Sequence, residues 1–236
     1  MVIDIKSRGG ALFILVKTVI IVQMLGSGID LIYILIVLIV ILVSMTMHEA
    51  MHAYASYWLG DDTARLKGRL SLNPIKHIDP FMTILLPIIL ALSGGPIFGG
   101  AKPVPFNPNN IRGNEWGVAI VAAAGPLTNF LIAFFVFGFW VLINPSQTIV
   151  NQFFLTAVYV NLGFFVFNMI PIPPLDGSRL LYALAPDSVR VIMEAIERYG
   201  VMLVFLFVIL AGSVLMRFMS DTIGLIFNLF IAIFGV

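Results

Sequence analysis

The chain has no cysteine among its 236 residues. That excludes a disulfide framework, a thiolate nucleophile and any cysteine-based metal site, leaving histidine and carboxylates as the strong metal ligands. Charge is nearly as scarce. Only 11% of residues are charged, and 13 basic against 12 acidic side chains leave a net charge of +1. So small a net charge gives no electrostatic basis for binding nucleic acid or a strongly anionic partner. A phosphate-binding loop is missing too. Gly94-Gly95-Pro96 and Gly99-Gly100 flank Ile97-Phe98, but no lysine follows in the required frame and no strand leads into a helix. They read as a flexible turn, and no nucleotide cofactor is expected.

What the chain does have is apolar sequence: 60% of residues are hydrophobic and the mean hydropathy is +1.06. A soluble domain of this size could not bury that much apolar surface, so an all-α, polytopic membrane helical bundle set in a lipid bilayer is expected. Residues 1–28 form an N-terminal segment. Lys6 and Arg8 precede the apolar stretch Ala11 to Leu25, which Lys17 interrupts, a pattern that fits a signal peptide or an uncleaved amphipathic or short membrane helix. Residues 29–236 read as one intramembrane domain with no stretch polar enough to be a separate soluble module.

Within it, Leu31 to Leu59 is almost unbroken apolar sequence and longer than a bilayer core requires. Asp61 to Trp116 contains seven prolines and six basic residues. Its one apolar run, Phe81 to Leu92, contains Pro87 and is short, which suits a re-entrant or interfacial piece. Gly117 to Ile143 and Phe153 to Ile170 form an antiparallel pair of spans about the uncharged turn Asn144-Pro145-Ser146-Gln147. Pro186 to Tyr199 reads as an amphipathic surface helix with Val189, Ile192, Met193 and Ile196 on one face. Val201 to Met216 and Thr222 to Val236 read as short spans or a hairpin around Arg217 to Asp221.

Near the end of the first long span stands His48-Glu49-Ala50-Met51-His52. Two imidazoles and a carboxylate at membrane depth imply function, because ionisable groups are costly there. Residues four apart share one helix face, so His48 and His52 can direct nitrogens at one tetrahedral zinc ion. Glu49 beside it can take a proton from the attacking water as general base of peptide hydrolysis.

A catalytic zinc takes three protein ligands, so one more must come from elsewhere. The candidates are His77, Asp79, Glu115 and Asp176. Asp176 stands out because Pro171-Ile172-Pro173-Pro174-Leu175-Asp176-Gly177 can hold an unwound backbone at membrane depth; the alternative is a cap for a helix over Ser178 to Leu184, and the ligand role is favoured. Asn129 and Asn168 could orient substrate or stabilise an oxyanion, or bond between helices, with Gly125 giving close packing. For His77 a hydrogen bond that fixes its loop is expected over metal ligation.

Three separated motifs resemble the site-2 proteases, intramembrane zinc metalloproteases: HEAMH, Ala124-Gly125-Pro126-Leu127-Thr128-Asn129, and Asn168-Met169-Ile170-Pro171-Ile172-Pro173-Pro174-Leu175-Asp176-Gly177. The likeness covers about Ile34 to Leu181. It implies one zinc ion per chain held by His48, His52 and Asp176, Glu49 as catalytic base, a three-helix catalytic core, and a membrane-protein substrate. Gly68-Arg69-Leu70-Ser71-Leu72-Asn73-Pro74 and His77-Ile78-Asp79-Pro80 look like the loop after the zinc helix in compact members that lack PDZ and CBS modules. The weakly alternating Arg65 to Leu72 would make that loop β-like, able to pair with an unwound substrate, or is a solvated basic loop facing lipid headgroups.

The six basic residues between Gly60 and Trp116, with Arg179, Arg190 and Arg198, place both segments in the cytoplasm by the positive-inside rule. The active site then lies towards the cytoplasmic side of an integral, multi-pass protein. A zinc-binding protein or transporter is the alternative, but transport has no need of Glu49 beside His48.

Overall fold

Long runs of Leu, Ile, Val and Phe in a bilayer can satisfy their backbone polar groups only within helices, and helices are what form. The computed structural model describes residues 31–80, 85 and 101–236. The seven α-helices among them are α1 (Leu31–Trp58), α2 (Thr63–Leu66), α3 (Asn114–Ile143), α4 (Thr148–Asn168), α5 (Gly177–Leu184), α6 (Asp187–Glu197) and α7 (Gly200–Phe234). Short 3-10 turns cover Pro74–Lys76 and Pro108–Asn110. Residues 1–28, the 81–92 run apart from Leu85, and the 94–100 glycine pairs lie outside the described residues.

Four helical stretches are long and apolar enough to cross a membrane: Leu31–Trp58, Asn114–Ile143, Thr148–Asn168 and Leu206–Phe234. The protein is therefore an integral, multi-pass membrane protein, as expected. At about 1.5 Å per residue α1 is roughly 42 Å long, more than the roughly 30 Å bilayer core, so its last turns can stand clear of the lipid.

Two expectations are corrected. The last two short spans are one continuous helix, α7. The stretch Arg217 to Asp221 contains no proline or glycine, and its charged residues are compatible with helix, so nothing breaks the ladder there. Arg65 to Leu72 holds no strand. It is the end of α2 followed by turns, with Gly68 at φ +65°, a left-handed conformation that interrupts any alternation.

The described residues fall into two compact units. The first comprises residues 31–40, Phe130–Phe167 and Val201–Val236. Its core is Ala133, Phe137, Val158, Leu162, Val166, Ile223, Ile226, Phe227 and Phe230. Lipid is as apolar as these side chains, so their fit rather than water exclusion holds the helices. Gly138 shows how close that fit is: a Cβ there would stand 2.6 Å from the ring of Phe234. The 144–147 turn is closed by Asn151, which accepts from Trp140 Nε1 at 2.8 Å and donates to the Pro145 carbonyl at 2.7 Å.

The second unit comprises Ile41–Asn129 and Asn168–Gly200. Small residues on α1 (Ala50, Ala53, Ala55 and Ser56) and α3 (Ala119, Ala122 and Gly125) are buried here. Arg112 Nη2 donates to the Trp58 carbonyl at 3.1 Å, satisfying an orphan acceptor at the end of α1. Asp61, just beyond α1, is fully enclosed. Its carboxylate accepts from Thr63 N and Oγ1, Asn107 N and Asn110 Nδ2, which joins the chain after α1 to the segment before α3. On α6, Met193 is buried while Val189 and Ile192 are exposed, along with Val191. Arg179 pairs with Glu197, and Tyr182 Oη donates to Glu194 at 2.6 Å, so α5 and α6 are tied together.

Candidate metal centre

Helical spacing places His48 and His52 on the same side of α1, where their Nε2 atoms lie 3.0 Å apart. Asp176 Oδ2 completes a triangle, 3.2 Å from His48 Nε2 and 3.5 Å from His52 Nε2. Ligands about 2.0–2.1 Å from a tetrahedral ion stand about 3.3 Å from one another, so these edges fit a single metal ion. Among the described residues this is the cluster able to hold one, and it does not include His77, Asp79 or Glu115.

The chain before Asp176 explains how the carboxylate arrives. Two prolines of Pro171-Ile172-Pro173-Pro174 meet in a cis bond between Pro173 and Pro174, and Leu175 N donates to Ile172 O at 2.9 Å. Gly177 lies against the end of α4: a Cβ there would collide with the Met169 carbonyl oxygen and stand 2.9 Å from that of Ile170. Asp176 occupies the N-cap position of α5, yet its side chain makes no capping bond and points to the histidines instead.

The histidine backs are fixed as firmly as their fronts. His52 Nδ1 lies 2.8 Å from the Val121 carbonyl, and His48 Nδ1 lies 2.6 Å from Asn129 Oδ1. Both acceptors require the proton on Nδ1, which leaves each Nε2 lone pair for metal. The Asn129 amide is itself oriented, because its Nδ2 donates to the Ser44 carbonyl at 3.3 Å. Val121, Gly125 and Asn129 are successive turns of one α3 face. Pro126 within that face lacks the N–H that would bond the Ala122 carbonyl, which removes one ladder bond beside the site.

Glu49 is half-buried on the same helix, with Oε2 accepting from Val104 N at 3.0 Å. Asn168, the last residue of α4, is also half-buried. His77 is placed as its loop position suggested, with Nε2 2.7 Å from the Ser71 carbonyl. Sequence reading did not single out Asp61 or Val104. The Asp-x-Thr pattern at Asp61 is a turn signal that could have found the first. The second is a backbone donor with no side-chain signature.

The chain is 42% identical to YwhC of Bacillus subtilis, assigned as a zinc metalloprotease, over 206 residues that make up 83% of this chain and 91% of YwhC. It belongs to peptidase family M50, the site-2 proteases. The model of that family matches residues 143–212, a stretch that carries Asp176. Rip2 of Mycolicibacterium smegmatis, also assigned as a zinc metalloprotease, is 29% identical over 174 residues, and the chain spans 64% of its length. MJ0611 of Methanocaldococcus jannaschii, with the same assignment, is 33% identical over 98 residues, half of its length. No solved structure matches the chain at a significant level. M50 membership and the His48, His52 and Asp176 cluster make the protein an intramembrane zinc metalloendopeptidase.

Proposed function

We propose that the protein holds one zinc ion through His48, His52 and Asp176 and hydrolyses a peptide bond of a membrane-spanning or membrane-associated protein near the cytoplasmic face. The observation that carries this reading is the ligand triangle with Glu49 one residue from His48. Two imidazoles and a carboxylate are a donor set zinc takes at catalytic sites, with a position left open. When bound, zinc lowers the pKa of a water towards 7 and polarises a carbonyl.

The chain supplies the remainder. Glu49 accepts the proton of the attacking water and returns it to the leaving nitrogen. Val104 N–H engages Oε2 of that carboxylate, leaving Oε1 as proton acceptor. In this role set Asn129 orients His48, and Asn168 is the amide proposed to meet substrate or the oxyanion. The Asp176 side chain is 23% exposed against 9% and 10% for the histidines, which supports approach of substrate from the Asp176 side. The core contributed by α1, α3 and α4 is the proposed three-helix catalytic core, and residues 65–72 would adopt strand form only on pairing with substrate. The cytoplasmic assignment is supported by the basic segments around HEAMH and Asp176.

The test is mass spectrometry of new peptide termini in membranes of cells producing the native chain or Glu49→Gln. Termini near spanning segments seen only with the native chain are expected. Identical termini, with zinc retained in both proteins, would instead support metal binding without proteolysis.

A further inference from the structure

The reading above gives the backbone of residues 65–72 a substrate-pairing role but no task to the side chains of the loop Gly68 to His77. It is built unusually for a surface loop: Arg69 is only 6% exposed and His77 only 2%. An enclosed guanidinium needs acceptors, and Arg69 finds them for Nη2 in another segment, though not for Nε among the described residues. Its Nη2 donates to the carbonyl of Lys102 and, at 3.5 Å, to that of Pro103. His77 holds the same segment from its backbone, its carbonyl accepting from Lys102 N at 2.9 Å. The His77 ring is braced by the Ser71 carbonyl. Loop and segment are thus joined at Lys102 through both of its backbone polar groups.

What this segment does next is set by its sequence, Lys102-Pro103-Val104-Pro105. Neither proline has an N–H, so Val104 supplies the backbone donor of residues 103–105, and it goes to Glu49 Oε2. Pro105 restricts Val104 to extended backbone. The Val104 side chain is buried with Ala53, Ala64 and Leu70, and Ala53 is one helical turn from Glu49. Arg69 also lies within reach of the Glu49 charge.

We propose that Arg69 and His77 are positioning residues for the catalytic base: they clamp Lys102 and Pro103 so that Val104 N–H holds Glu49 in register with the metal triad. The inference rests on the protease reading and adds to it the route by which the base is oriented. A shift of about 1 Å in a catalytic group can cost about 100-fold in rate without a change in substrate affinity. Loss of the clamp therefore acts on kcat.

The experiment uses the full-length protein in detergent micelles with fluorescein-labelled β-casein as probe. Hydrolysis by the native chain that Glu49→Gln abolishes upholds the protease reading whatever Arg69 does, and equal rates in those two would overturn it. Arg69→Ala is expected to keep one zinc per chain and KM within about twofold while kcat falls about 10- to 100-fold. Millimolar guanidinium should restore part of that kcat. Glu49→Asp shortens the carboxylate out of reach of Val104, so adding Arg69→Ala to it should lower kcat by less than about twofold. The proposal is overturned by native kcat in Arg69→Ala, by a rise in KM with kcat unchanged, or by losses that multiply in the double variant. If Arg69→Ala does not fold, Arg69→Lys takes its place in the same cycle. It keeps the charge but loses the planar guanidinium on its longer stem, and multiplicative losses there would equally overturn the clamp.

Discussion

Asn129 Oδ1 lies 2.6 Å from His48 Nδ1, so an amide on α3 sets the tautomer of a metal ligand on α1. Asn129→Ala removes the acceptor and leaves His48 free to rotate or to carry its proton on Nε2. Partners of this kind are worth about 10- to 100-fold in metal affinity. Zinc affinity of Asn129→Ala, measured by competition with a chromogenic chelator, should fall by that amount. Unchanged affinity would mean that α1 alone orients the ring.

Gly125 should refuse even a methyl group. A Cβ there would collide with His52 Nε2 and stand 2.7 Å from His52 Cε1 and 2.8 Å from His48 Cε1. Alanine improves helix propensity by about 1 kcal/mol, but overpacking costs about 1–3 kcal/mol. The second effect is the larger, and it falls on the ligands. Gly125→Ala is expected to bind less than one zinc per chain by elemental analysis and to unfold at lower temperature than the native protein.

Asp176 sits where a capping residue would, and its two possible roles separate cleanly. Asn caps as well as Asp does but lacks the carboxylate charge. Because Asp176 makes no capping bond, Asp176→Asn should leave the start of α5, and the helical content of the metal-free protein by circular dichroism, unchanged. Its zinc content and proteolysis should both be lost. Full zinc occupancy in Asp176→Asn would return the residue to a capping role.

Asp61 makes stability depend on pH. Burial pushes its carboxyl up, but hydrogen bonds from Thr63, Asn107 and Asn110 outweigh this and hold it below the ordinary value. A group whose folded pKa is depressed contributes stability that is present above its unfolded pKa, about 3.9, and lost as pH falls through the folded pKa. Asp61→Ala leaves several donors enclosed without their acceptor, at a cost of about 1–3 kcal/mol. Thermal unfolding should show native stability falling towards that of Asp61→Ala below about pH 4. Parallel curves across that window would contradict the assignment.

Much of the fold was legible because its signals are local. The spans at α1, α3 and α4 follow from apolar run length, and their observed limits differ from the expected ones by a few residues. The pair His48 and His52 needs only helical spacing. The misreadings arose where charge or alternation was taken for a break or a strand. Arg217 and Asp221 sit inside α7, and Gly68 turns the chain where alternation implied extension. Contacts between distant segments left little trace. Asn129 was read as facing substrate or bonding between helices; it does bond between helices, but that its partner is His48 had no local signal, and Val104 acts through a peptide N–H that any residue but proline possesses.

The sequence by itself determined that this chain lives in a membrane, that its metal chemistry rests on histidine and carboxylate, and that His48, Glu49 and His52 share one helix. Those properties depend on composition and on spacing within single helices. Only the tertiary structure decided that Asp176 faces the histidines rather than capping α5, that Val121 and Asn129 fix the two imidazoles, and that Arg69 and His77 reach Glu49 through Val104. Each joins segments far apart in the chain, where packing and the pairing of enclosed polar groups, not local propensity, select the partner.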